Sequence, residues 1–204
     1  MPSVPSAGSN DEERDRIVEA TFDCLSEPHE GPVHVSAILA RAEVSSRAFY
    51  RHFESKDELF LAMLEQVTER LAVVLDEIAG APAPDPLNQL RAWLDQMFAL
   101  ATETDLHRNL AVLDCDEMRS AKGYREARTR SRARRERSLA TILRSGHADG
   151  SFPLAEPESD AIAIAALVSR ELTSARIFDP AEIALSRARV ERFTLRALGV
   201  AGKV

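Results

Sequence analysis

The sequence predicts an all-α chain of about nine helices: a three-helix helix-turn-helix module at the front and a larger helical domain behind it. Three observations predict this. Apolar residues recur at steps of three and four in almost every segment, with no convincing strand alternation. Capping residues and prolines punctuate the chain at helix-length intervals. The first helical segments are short and closely spaced, whereas the later ones are long. A chain of 204 residues that is 45% hydrophobic supplies core for a small module plus a larger domain.

The opening MPSVPSAGS reads as a flexible tail over residues 1–9, without the apolar run of a signal peptide. Asn10 and Glu13 are expected to form a capping box for the first helix, which carries Ile17, Ala20, Thr21 and Cys24 on one face and ends near Ser26. EPHEGP breaks it. A short helix follows over about Val35–Arg41, AEV makes a tight turn, and Ser45 caps a second short helix. Ser55 and Glu58 open a long helix with the stripe Leu59, Met63, Val67, Leu71, Val74 and Ile78. GAPAPDP is the clearest linker; Asp85 and Pro86 then start a helix running to about Thr102. Further helices are expected over about Asp105–Met118 and Gly123–His147, the latter stopped by ADGSFP. Ser159–Phe178 is apolar or small on nearly every side. Asp179, Pro180 and Glu182 open the last helix, and Gly199 ends it. The expected domains are residues 10–57 and 58–204.

Bulk properties exclude several classes. The net charge is −7 and the pI about 5.3, so any anion-binding surface is local. Cys24 and Cys115 have neither disulfide-framework nor metal-ligand spacing, which favours a reducing, cytoplasmic setting. The longest apolar stretch, Ala161–Val168, is too short to span a bilayer. The five histidines form no H-x-x-x-H pair, and no nucleophile elbow or phosphate-binding glycine loop occurs. In DCDEM, Asp114, Cys115 and Glu117 do not share a helix face, so it reads as acidic surface. No enzymatic activity, cofactor or metal is expected.

Two short helices joined by a turn of about three residues make a helix-turn-helix, whose second helix can lie in a DNA major groove. In VSSRAFYRHFESKDEL, Val44, Phe49 and Phe53 are expected to face inward. Ser45, Ser46, Arg47, Tyr50 and Arg51 are left for DNA. Arg47 and Arg51 stand four apart, and their guanidinium forks suit guanine edges or phosphates. Ala48 is expected to touch a thymine methyl. Tyr50, His52, Lys56 and His34 are expected to position the phosphate backbone, Lys56 from a first helical turn whose free N–H groups also favour phosphate.

The run HVSAILARAEVSSRAFYRHFESKDELFLAML resembles the DNA-binding region of the TetR family of bacterial transcriptional regulators. The matching positions are Val35, Ile38, Ala42, Val44 and Ser45, then Phe49-Tyr50-x-His52-Phe53 and Ser55-Lys56-x-x-Leu59. DPAEIALSRARVERFTLRALG is loosely similar to the family's last helix. Departures are Glu43 in place of the turn glycine, His34 in place of threonine, Leu39 in place of alanine, and Pro28, Gly31 and Pro32 after the first helix.

The resemblance implies a homodimer that binds double-stranded operator DNA and responds to a small-molecule effector. It implies an interface built from the last two helices, here Ile162, Ala166, Ser169, Leu172 and Thr173 with Ile183, Val190, Phe193 and Ala197. It also implies a ligand pocket among helices of the second domain, for which Trp93, Met97, Phe98, Leu113, Met118 and Tyr124 are candidates and point to an apolar effector. The segment Arg119–Arg137 holds nine basic residues against Glu126 and Glu136. A solvated face is one reading of it; attraction of an anionic effector, such as an acyl carboxylate or coenzyme A phosphate, is another. The alternative function is a helical adaptor that has lost specific DNA binding.

Overall fold

The computed structural model describes residues 7–81, 85–100, 112, 113, 115–174 and 179–200, and every regular element among them is a helix. These are α1 (Ala7–Ser26), α2 (Val35–Ala42), α3 (Ser46–His52), α4 (Lys56–Ala79), α5 (Pro86–Ala99), α6 (Asp116–Ser120), α7 (Tyr124–Ala148), α8 (Pro157–Ser174) and α9 (Pro180–Ala197). The helix expected over Asp105–Met118 lies mostly outside the described residues. Among them, no helix is long and apolar enough to cross a membrane.

Most helix starts follow the capping chemistry written in the sequence. The Ser45 hydroxyl accepts from the Ala48 N–H at 3.2 Å, and Ser55 from Glu58 at 3.1 Å. Asp85 accepts from Leu87 and Asn88 with Pro86 in the first turn, and Asp179 accepts from Ala181 ahead of Pro180. The first helix departs from expectation. It begins at Ala7, so Asn10 lies inside it and caps nothing. The turn after α2 places Glu43 in the left-handed region at φ 55°, where a β-carbon costs roughly 1 kcal/mol that glycine would not incur.

The chain divides into two compact units, residues 1–67 with 108–127, and residues 68–107 with 128–204. The division differs from the expected boundary at residue 57, because the first half of α4 and the segment containing α6 join the helix-turn-helix. In the first unit, α1 packs on α2 and α3. Ile17 and Val18 of α1, Ile38 of α2, Phe49 of α3, Phe53, and Leu59 and Met63 of α4 are all buried. Apolar side chains of these sizes each contribute about 1.5–3 kcal/mol on burial.

In the second unit, α5 packs on α8 and α9, and α8 on α9. Its core holds Leu75, Leu90, Trp93, Leu94, Leu139, Ile142, Leu143 and Val168. The Trp93 indole N–H donates to the Ser138 hydroxyl at 3.1 Å, which satisfies a polar atom that burial would otherwise penalise. The Gln89 amide donates to the Ile78 carbonyl at 2.7 Å and so closes the end of α4. Charges tie α9 to α5: Arg187 pairs with Asp95 and Glu191, and Arg91 donates to Glu191 at 2.8 Å. Burial pushes the Glu191 carboxyl up, but the hydrogen bonds from Arg91 and Arg187 outweigh it and hold it below the ordinary range.

Two outcomes are expected. A β-carbon on Gly146 would stand 2.1 Å from the buried Phe152 ring, which folds back onto α7. Gly146→Ala therefore costs about 1–3 kcal/mol, read as a lower urea midpoint at unchanged slope. A carboxyl lowered on folding stabilises above its unfolded value of about 4.3, and that contribution is lost as pH falls through the folded value. Glu191→Gln should therefore lower Tm near neutral pH and lose less Tm than the native chain on acidification to about pH 3.

Candidate nucleic-acid interface

The second helix of the helix-turn-helix is seven residues long and has two distinct faces. Phe49 is fully buried, and Phe53, the residue that ends the helix, is 2% exposed. Their rings lie 5.7 Å apart, and the Arg14 guanidinium sits 5.4 Å from the Phe53 ring. With that side locked down, Ser46, Arg47, Tyr50 and Arg51 are left exposed, as is His34 at the start of α2. Tyr50 is 64% exposed, a large fraction for an aromatic residue, and its ring meets Phe49 edge-on at 5.3 Å. Ser45 is exposed as a residue, but its hydroxyl is engaged as the helix cap.

Two of the expected contacts fall elsewhere. Ala48 is only 6% exposed, because one turn of helix cannot present it with Arg47 while also burying Phe49; its methyl is turned into the protein. His52 has its ring almost fully buried, with Nε2 donating to the Glu13 carboxylate at 2.7 Å. Arg51 pairs with that same carboxylate. Glu13 thus ties α1 to α3. The hydrogen bond from His52 lowers its pKa, burial opposes this, and Arg51 adds a further lowering.

Lys56 is also held. Its ammonium pairs with Glu117 of α6 and donates to the Val33 carbonyl at 2.5 Å, while lying 5.1 Å from the Phe60 ring centroid. The Val33 N–H donates to both Glu117 oxygens, at 3.1 and 3.2 Å. One carboxylate therefore satisfies the backbone just before α2 and the cation at the start of α4. It borders an open cleft of about 560 Å³ that His29, Pro32, Phe60 and Cys115 also line. Neither Glu13 nor Glu117 was singled out as a binding partner by the sequence, since their partners lie 38 to 84 positions away.

The candidate pocket residues Trp93, Met97, Phe98, Leu113, Met118 and Tyr124 are all buried. Trp93, Met97 and Phe98 belong to the second unit; Leu113, Met118 and Tyr124 belong to the first, where the Tyr124 hydroxyl donates to the Leu113 carbonyl at 2.9 Å. The candidate interface also divides. Ile162 and Phe193 are 55% and 53% exposed, and Ala166 and Ala197 are exposed. Ser169 and Leu172 are half-buried. Ile183 and Val190 are buried inside their own unit, where they complete the packing of α9, and offer no surface to a second copy. The Thr173 side chain lies outside the described residues.

Comparison with known proteins agrees with this geometry. A family model described as "Bacterial regulatory proteins, tetR family" matches residues 17–63, the stretch that holds the second half of α1, all of α2 and α3 and the start of α4. The HTH-type transcriptional regulator BetI of Stenotrophomonas maltophilia (strain R551-3) is 28% identical over 95 residues, 47% of this chain and 48% of that protein. The match thus spans about half the length of that relative. Among solved structures, SmeT in complex with triclosan aligns at a TM-score of 0.76 with 23% identity, over 91% of this chain and 90% of that one. SmeT is the repressor of the Stenotrophomonas maltophilia multidrug efflux pump SmeDEF. The fatty acid degradation regulator FadR from Bacillus halodurans aligns at 0.74 with 18% identity, over 98% and 100% of the two chains. At such identities, these structures show a shared fold.

Glu117→Gln keeps an acceptor for Val33 but removes the charge opposite Lys56. The expected outcome is a loss of about 1 kcal/mol in stability. Affinity for random-sequence duplex DNA should rise at the same time, with a salt dependence steeper by about one phosphate contact. An unchanged salt slope would show that Lys56 does not meet a phosphate.

Proposed function

We propose that this chain is a ligand-responsive DNA-binding transcriptional regulator of the tetR family, whose model its residues 17–63 match, and most simply a repressor. The observation that carries this reading is the two-faced α3: Phe49 and Phe53 hold it down while Ser46, Arg47, Tyr50 and Arg51 stand exposed. Arg47 and Ser46 would read base edges, and Tyr50 and His34 would position the backbone. Lys56 would join them after exchanging Glu117 for a phosphate.

A two-fold dimer reads a near-palindromic site, whose half-sites lie about 34–36 Å apart or a multiple of it. The exposed Ile162, Ala166, Phe193 and Ala197 support pairing through α8 and α9. An effector would release the operator by binding one of two dimer geometries more tightly than the other. The buried apolar residues around Trp93 support an apolar body for that effector. SmeT in its solved complex holds triclosan, which lends this reading support by likeness of fold.

One observation favours the adaptor alternative. Arg51, His52 and Lys56 are each engaged by a carboxylate of the same chain. Selection of duplexes from a random pool, repeated at several salt concentrations, separates the two. An enriched inverted repeat bound by a dimer supports the regulator; no enrichment at any salt favours the adaptor.

On the selected site, Arg47→Ala should cost about 1–3 kcal/mol and relax the sequence preference at the position it reads. Equal losses on the selected and on random duplexes, measured by titration at fixed salt, would contradict a base-reading role for Arg47.

A further inference from the structure

The arginine run on α7 resolves into side chains with different surroundings. Arg134 is paired twice, with Glu69 and with Asp76 at 3.0 Å. Arg137 is exposed. Arg135 is half-buried, and its one hydrogen bond is to the Ser131 hydroxyl one turn back, at 3.1 Å. Among the described residues, no carboxylate stands within ion-pairing distance of it.

Its setting makes this costly. Arg128, Arg132, Arg135, Leu139 and Ile142 follow one another at steps of four and three, so they share a single stripe of α7. Leu139 and Ile142 are fully buried, Arg135 and Arg128 are half-buried and Arg132 is exposed, so the stripe leaves the core through three arginines. Burial, with Arg128 and Arg132 beside it and only Glu136 opposing, pushes the Arg135 guanidinium down to about 10. By contrast Arg187, also partly covered, has two carboxylate partners. One turn beyond Arg135, Ser138 donates to the Arg135 carbonyl at 2.9 Å and accepts from the buried Trp93. The Arg135 backbone is thus tied through Ser138 to the buried Trp93, while its guanidinium reaches one turn back, where the apolar helix face ends. A half-buried cation without a counter-charge costs stability in the chain that carries it, and such cost is characteristic of a binding position.

We propose that Arg135, flanked by Arg128 and Arg132, is the anion-binding end of the effector site, and that the effector is an apolar organic carboxylate. The guanidinium fork supplies two parallel donors to a carboxylate, and the low-dielectric surroundings strengthen them. The proposal rests on the reading of the second unit as the effector-binding part.

The test uses the full-length protein and matched probes: decanoate against decanamide, and benzoate against benzamide. Thermal shift and calorimetric titration are read for the native chain, Arg135→Gln and Arg137→Gln. The carboxylates are expected to bind and raise Tm where the amides do not. Arg135→Gln should weaken them roughly tenfold or more, whereas Arg137→Gln, on the opposite side of the helix, should leave them unchanged. Without ligand, Arg135→Gln should keep or raise Tm, because no ion pair is lost.

Three results would overturn the proposal: equal binding of acids and amides or of neither, equal losses in the two variants, or a fall in ligand-free Tm for Arg135→Gln. Binding of the selected operator by Arg135→Gln separates failures. If the operator is bound and the acids are not, the regulator reading stands and the anion site falls; if no duplex is ever selected, the regulator reading itself has failed.

Discussion

Everything the first unit presents to solvent depends on the burial of Phe49 and Phe53. A seven-residue helix has no stability of its own in water, since its nucleation cost is not repaid over two turns. Two phenylalanines set at helical spacing on α1 and α2 repay it, and they also fix the rotation of α3 about its axis. Once Phe49 and Phe53 are inside, Ser46, Arg47, Tyr50 and Arg51 have only the outside left. The exposed face of α3 is thus a consequence of the core.

Electrostatics adds a second constraint. The chain is acidic overall, and it spends specific carboxylates on its own cations. Glu13 holds Arg51 and His52 while fastening α1 to α3, and Glu117 holds Lys56 while satisfying the Val33 N–H. These contacts neutralise basic groups on and beside the helix-turn-helix within the chain itself. The Lys56–Glu117 contact thus joins the start of α4 to α6 and to the backbone just before α2. Arg135 stands in contrast: among the described residues its charge has no carboxylate partner, in a unit where Arg134 and Arg187 each have two.

Much of this was legible in local sequence. Helix starts at Ser45, Ser55, Asp85 and Asp179 followed from side chains that reach backbone two or three residues away, and that chemistry works over the same distance as the pattern that reveals it. Inward placement of Phe49 and Phe53 followed from their four-residue spacing. Asn10 misled because a capping box marks a start that the chain is free to ignore when the preceding residues also take helical geometry. Ala48 misled because spacing places a residue on a sector of a helix, whereas the neighbouring elements decide how wide the buried sector is.

The sequence by itself determined the helical class, the helix-turn-helix and the family resemblance, because periodicity, caps and turn residues are short-range facts. Only the tertiary structure decided that α6 joins the first unit, that Ile183 and Val190 turn into their own core, and which cations are neutralised. Those outcomes depend on pairs such as Glu13 with His52 and Lys56 with Glu117, 39 and 61 positions apart. Nothing in the local pattern at either end encodes such a partner. Its identity emerges only when packing brings the two side chains to the same place.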